Sequence, residues 1–135
     1  MRSSLLAAVS LLIGCASADD ATAPVQRERA LAILRSPAFL LPDSLEVGTP
    51  LTLHVMSGAP NGCSEIGETS VVIQGLQAAI TPYRYFYKYA ACGQMVQQFD
   101  QQVTLQFGVA GIATITVTGE GGAVTKPLRV WRRTS

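Results

Sequence analysis

Three kinds of side chain in this 135-residue sequence could do chemistry. His54 is the only histidine, and imidazole is the side chain whose ordinary pKa lies near neutrality, which makes it the candidate general base. A nucleophilic triad would also need a serine and a carboxylate from elsewhere, and no strand-to-helix elbow presents a serine. Alternation of His54 with Leu53 and Val55 reads more simply as a solvent-facing strand residue. Glu65, Glu68 and Asp100 are the second group. Paired carboxylates serve glycoside hydrolysis or Ca²⁺ binding, yet no acidic run of calcium-loop type is present, and two acids in a polar loop are ordinarily solvated. Cys15, Cys63 and Cys92 are the third, and with one histidine beside them they offer no metal-ligand set, so neither metal nor cofactor is expected. Arg129, Arg132 and Arg133 make a basic end that could touch anionic headgroups but reads as solvated.

The elements around these residues start with an export signal. Met1 and Arg2 open a positive start, Leu5 to Ile13 is apolar, and small residues follow, a run too short for a stable bilayer span. Leu12-Ile13-Gly14-Cys15 resembles a bacterial lipobox. That resemblance implies a diacylglycerol on the Cys15 thiol, cleavage before Cys15 and an acylated new N-terminus. An ordinary signal peptide cut near Ala16-Ser17-Ala18 is the alternative, and the place of Cys15 directly after the apolar run favours lipidation. In lipoproteins an Asp after the cysteine often retains the product in the inner membrane. Here Ala16 stands there, which points to the outer membrane where the organism has one. Residues 1–14 are thus the signal, 15–24 a lipidated cysteine with a flexible tether ending at Pro24, and 25–135 one domain.

A chain of this length buries roughly two-thirds of its unfolded surface, enough for a real core. Losing Arg2 leaves nine Lys/Arg against nine Asp/Glu, a balance that argues against nucleic acid and against an electrostatic membrane patch. With Cys15 taken by lipid, Cys63 and Cys92 remain as a pair in a compartment where disulfides persist. Their spacing is far from Cys-x-x-Cys, so a structural bridge is expected, closing about 30 residues and stabilising by roughly 3–4 kcal/mol.

Residues 25–35 fit a short helix by local propensity, or a first strand if tertiary pairing prevails; strand is the preferred reading. From Phe39 onward the pattern has period two. Leu45-Glu46-Val47 is a short strand, and Leu51, Leu53 and Val55 face inward opposite Thr52, His54 and Met56. Val71 and Ile73 mark another strand, Gly75 a break, and Leu76, Ala78 and Ile80 a strand ending at Thr81-Pro82. Residues 96–107 carry Val103, Leu105 and Phe107. Ala113, Ile115 and Val117 alternate with three threonines, and residues 119–122 turn into a last strand over 124–131. Pro127 there cannot donate to a ladder, which predicts an edge strand.

Seven to eight short strands with turns about every ten residues predict an antiparallel β-sandwich. Residues 107–117 (FGVAGIATITV) resemble the closing hairpin of bacterial immunoglobulin-like domains. Asn61-Gly62-Cys63 through Gly75-Leu76 to Thr81-Pro82-Tyr83 is similar to small envelope lipoproteins with no assigned activity. The resemblance spans roughly residues 40–131 and implies an immunoglobulin-like sandwich. No tryptophan lies between Cys63 and Cys92, a departure from antibody-type domains that favours a loop-to-strand staple over an inter-sheet bridge.

Tyr83, Tyr85, Tyr87 and Tyr89 share one face of any strand covering 83–89, a stripe roughly 20 Å long. Arg84 and Lys88 on the other face favour turning the tyrosines inward. The competing reading turns them outward as a binding face, because tyrosine is favoured at recognition surfaces. The expected function is a lipid-anchored, non-catalytic module of the cell envelope that binds a protein or glycan or serves envelope structure. The alternative is a small periplasm-facing enzyme or inhibitor.

Overall fold

The computed structural model describes residues 26–88 and 91–134, so the signal segment, Cys15, the tether and Tyr89 lie outside the described residues. Among those described there is no helix, and nine strands form: β1 (Arg27–Leu31), β2 (Ile33–Leu34), β3 (Ser44–Glu46), β4 (Leu51–Ala59), β5 (Ser64–Gln74), β6 (Gln77–Tyr87), β7 (Gln97–Leu105), β8 (Gly111–Gly119) and β9 (Gly122–Trp131). The larger sheet runs β1-β6-β8-β9-β3 with β5 also on β6, and the smaller runs β2-β4-β7. Strand β6 is the hub. Its first half pairs with β8 and its second half with β1 along one edge, while β5 follows the other edge for most of its length.

The expectation of seven to eight purely antiparallel strands needs correction. There are nine, and the larger sheet is mixed, since β6 with β8 and β3 with β9 run parallel. Between β6 and β8 the chain crosses to the smaller sheet as β7, and such a crossover brings β8 back in the direction of β6. Alternation in sequence is the same for either direction, so it carried no sign of this.

Residues 27–34 take the strand alternative. Pairing with β6 overrides their helical propensity, and the chain changes sheets at the fully buried Ala32. There the Ala32 N–H donates to the Pro82 carbonyl at 2.9 Å and its own carbonyl accepts from Glu120 N–H at 2.8 Å. Pro82 does not end its strand, contrary to expectation. It sits where β6 exchanges β8, paired up to Ile80, for β1, paired from Tyr83, so no N–H is needed from it on that edge. Strand β9 is likewise not simply an edge. Arg129–Trp131 pair with β3, and the stretch containing Pro127 lies just before that pairing.

The two sheets share a core in which the inward sets foreseen from alternation meet Phe39, Leu128 and Val130, which were not foreseen. Leu53, Val55, Val103 and Leu105 come from the smaller sheet; Ile80, Ala113, Ile115, Val117, Leu128 and Val130 from the larger; Phe39 and Phe107 from connections. Burying each large side chain contributes roughly 1.5–3 kcal/mol.

Two ends are distinguishable. At one, Gly62 N–H donates to Gly93 O, Lys88 N–H donates to Gln26 O (both 2.9 Å), and Cys63 is bonded to Cys92 with the Cα atoms 5.1 Å apart. The staple joins two loops, Cys63 standing just before β5 and Cys92 between β6 and β7, so the loop-to-strand expectation is refined rather than met. At the other end Val47 N–H meets Trp131 O and Gly48 N–H meets Phe107 O.

Candidate functional site

Ala78, Ile80 and Pro82 point into the core, so the odd residues of β6 must face outward. Tyr83, Tyr85 and Tyr87 are therefore half-buried on the outer face of the larger sheet. The inward expectation was wrong, and its reason was Arg84. That residue does face the inner side, at the rim, with only 11% of its side chain exposed. Its guanidinium donates to Leu31 O, Ser64 Oγ and Glu120 Oε2 at 3.3, 3.0 and 3.2 Å. A charge with three acceptors can lie under a sheet edge, and Lys88 stands past the strand's end in an ion pair with Glu28.

On the outer face the tyrosines interleave with two arginines of β1. Arg27 and Arg29 stand opposite Tyr87 and Tyr85 in the ladder. The Arg27 guanidinium stacks 3.7 Å from the Tyr85 ring centroid, and Arg29 lies 4.2 Å from that of Tyr83. Each arginine also reaches a carboxylate of β5. Arg27 Nε lies 3.1 Å from Glu65 Oε1, and Arg29 Nη1 donates to Glu68 Oε1 at 2.9 Å. The Tyr85 hydroxyl donates to Glu68 Oε2 at 2.6 Å, and the Tyr87 hydroxyl bonds to Glu65.

The carboxylates reach this face because β5 is bulged. Residues three apart in a regular strand point to opposite faces. The register shift between Ile66 and Thr69 adds one residue, so Glu65 and Glu68 emerge on the same side. Gly67 occupies the bulge, where a Cβ would lie 2.7 Å from Tyr83 O. The bulge is held from inside. Gln101 of β7, almost fully buried, donates from Nε2 to Gly67 O at 3.1 Å and to Tyr83 O at 2.9 Å, while its Oε1 accepts from the buried Ser57 hydroxyl.

Electrostatics follow from these bonds. The Tyr85 hydroxyl first, then Arg29, holds the Glu68 carboxyl down to about 2. The same bonds push the Tyr85 phenol and the Arg29 guanidinium up, and the bond to Glu65 pushes the Tyr87 phenol up. Glu65 and Glu68 do not share a loop, as expected from sequence, but a strand, and Asp100 is not with them. The Asp100 carboxylate accepts from His54 Nδ1 at 2.9 Å across β4 and β7, on the exposed face of the smaller sheet. His54 is solvent-facing as read from alternation, and it lines an apolar cleft of about 290 Å³ with Pro37, Phe39, Leu40, Thr52 and Met56. Arg133 lies 3.6 Å from Glu46 at the end remote from Gln26. Among the described residues no group of three or more His, Cys, Asp or Glu is placed to hold a metal ion.

Arg27, Arg29, Ser57 and Gln101 were not singled out in sequence. The Arg-x-Arg spacing at period two was the available signal for the first pair; the buried pair carries none. No family model, no curated protein and no solved structure matches this chain.

Proposed function

We propose that this protein is a lipid-anchored, non-catalytic envelope module that presents the outer face of its larger sheet to a protein partner. The observation that carries the reading is the Arg27–Tyr85 and Arg29–Tyr83 stacking fastened by Glu65 and Glu68. Rings and guanidinium groups already fixed lose little entropy on contact, which is what recognition surfaces rich in tyrosine and arginine exploit. A glycan is the less favoured partner, because sugars stack on open ring faces and those of Tyr83 and Tyr85 each carry a guanidinium on one side. The lipobox-like Cys15 supports the anchor, and the outer membrane is its proposed site. The shared core and the chain's change of sheet at Ala32 support reading the two sheets as an immunoglobulin-like sandwich.

Cross-linking in intact cells tests the module. A stoichiometric protein partner captured by wild type and lost in Tyr85→Ala/Tyr87→Ala, with the disulfide and the fold intact, supports the proposal. Retention of every cross-linked species by that variant, or capture of envelope polysaccharide instead, refutes the protein-partner reading.

His54–Asp100 beside the apolar cleft favours one second reading, a small periplasm-facing enzyme. A carboxylate on Nδ1 would leave Nε2 to activate water against an ester or acyl group. Ester hydrolysis lost in both His54→Ala and Asp100→Asn would favour that reading over the module.

A further inference from the structure

The end of the domain at Gln26 carries an exposed apolar tip. Met95 is 81% and Val96 69% exposed, in the connection between β6 and β7. Two apolar neighbours at a loop tip are left largely uncovered by the described residues. This connection is also fastened by Cys63–Cys92 and by the Gly62–Gly93 backbone bond. A stapled loop holds its apolar tip outward rather than letting it fold back onto the domain.

The chain's own geometry says what lies in front of that tip. Gln26 enters the fold beside Lys88, at the same end as Gly62, Cys92 and Gly93. Eleven residue steps separate Gln26 from Cys15, and a flexible tether of that length has a root-mean-square span of roughly 20 Å. The opposite end, with Trp131, Val109 and the arginines after β9, lies a further strand length away, roughly 30 Å. Resting on the lipid-anchor reading above, the geometry points to Met95 and Val96 seating in the lipid surface, so that the domain stands on this end with its far end outward. The lipid surface is the occupant because the anchored chain enters here. Two side chains alone would bind weakly, but the anchor turns their contact into an intramolecular one at high effective concentration. The acidic groups at this end do not oppose it, since Glu28 is paired with Lys88 and Glu65 with Arg27.

Trp131, the only tryptophan, sits at the far end and makes the test clean. The lipidated full chain is reconstituted into phosphatidylethanolamine/phosphatidylglycerol vesicles with brominated acyl chains, as wild type and as Met95→Trp/Trp131→Phe. Flotation with the vesicles reads the anchor. Fluorescence then reads the orientation. In the double variant it should fall by roughly half or more, since a side chain seated about 5–10 Å into the interface meets brominated positions. Wild-type Trp131 should stay unquenched. Protein that floats while the double variant is unquenched overturns the seating and leaves the anchor standing, as does quenching of Trp131. Protein that does not float removes the anchor reading and the seating with it. A blue shift of the double variant that follows protein concentration, without quenching, would assign the tip to a second copy and overturn the proposal. Met95 is largely exposed, so an unchanged unfolding midpoint shows that the variant is folded.

Discussion

The Tyr85 hydroxyl donates a 2.6 Å hydrogen bond to the Glu68 carboxylate, which Arg29 holds from its other oxygen. Seventeen residues separate the pair, and they meet only because the bulge in β5 turns Glu68 to the outer face.

That bond predicts an acid dependence. Glu68 is lowered in the folded protein from an ordinary 4.5 to about 2, so its contribution to stability is full above about 4.5 and fades as pH falls through about 2. Urea unfolding midpoints should fall across this window in wild type and less steeply in Glu68→Gln. Parallel curves would show that Tyr85 and Arg29 do not favour the ionised carboxylate. At the alkaline end the raised Tyr85 and Tyr87 phenols stay protonated longer folded than unfolded, so stability should decline above about pH 10 as they ionise.

The bulge depends on Gln101. Gln101→Leu keeps the volume and strands the carbonyls of Gly67 and Tyr83 and the Ser57 hydroxyl, each costing about 1–3 kcal/mol when buried and unpaired. Chemical denaturation should show a loss of at least about 2 kcal/mol. Gly67→Ala should also destabilise, because its Cβ would press on the Tyr83 backbone. A neutral Gln101→Leu would mean that the bulge is held by β6 alone.

Cys63 and Cys92 should resist alkylation until reduced. Cys63→Ser should lower stability by roughly 3–4 kcal/mol in the chain-entropy account, read from the shift in unfolding midpoint. Ready alkylation of both thiols in the oxidised protein would refute the bridge.

Cys15 should be acylated. A fatty-acid analogue should label wild type and not Cys15→Ala, which should remain unprocessed or be released. Equal labelling of the two would remove the anchor, and with it the seating of Met95 and Val96.

Sequence alone determined much of the core and roughly where the strands run, though not the place of Phe39, Leu128 and Val130 in it. Leu51-Leu53-Val55, Val103-Leu105-Phe107 and Ala113-Ile115-Val117 were legible because successive Cβ atoms alternate across a strand whatever its partner. The pairing of Cys63 with Cys92 was legible by counting. Only the tertiary structure decided what faces outward around β6, which carboxylates meet which cations, and which strands run parallel. Tyr83, Tyr85 and Tyr87 face outward although the charge of Arg84 on the opposite face predicts the reverse. The acceptors that satisfy it, on Leu31, Ser64 and Glu120, come from β1, from the start of β5 and from the turn after β8. Glu65 and Glu68 share a face through one inserted residue, and His54 finds Asp100 across strands 46 positions apart. Alternation is a property of a single strand; register, bulges and ion pairs belong to strands that meet only after folding.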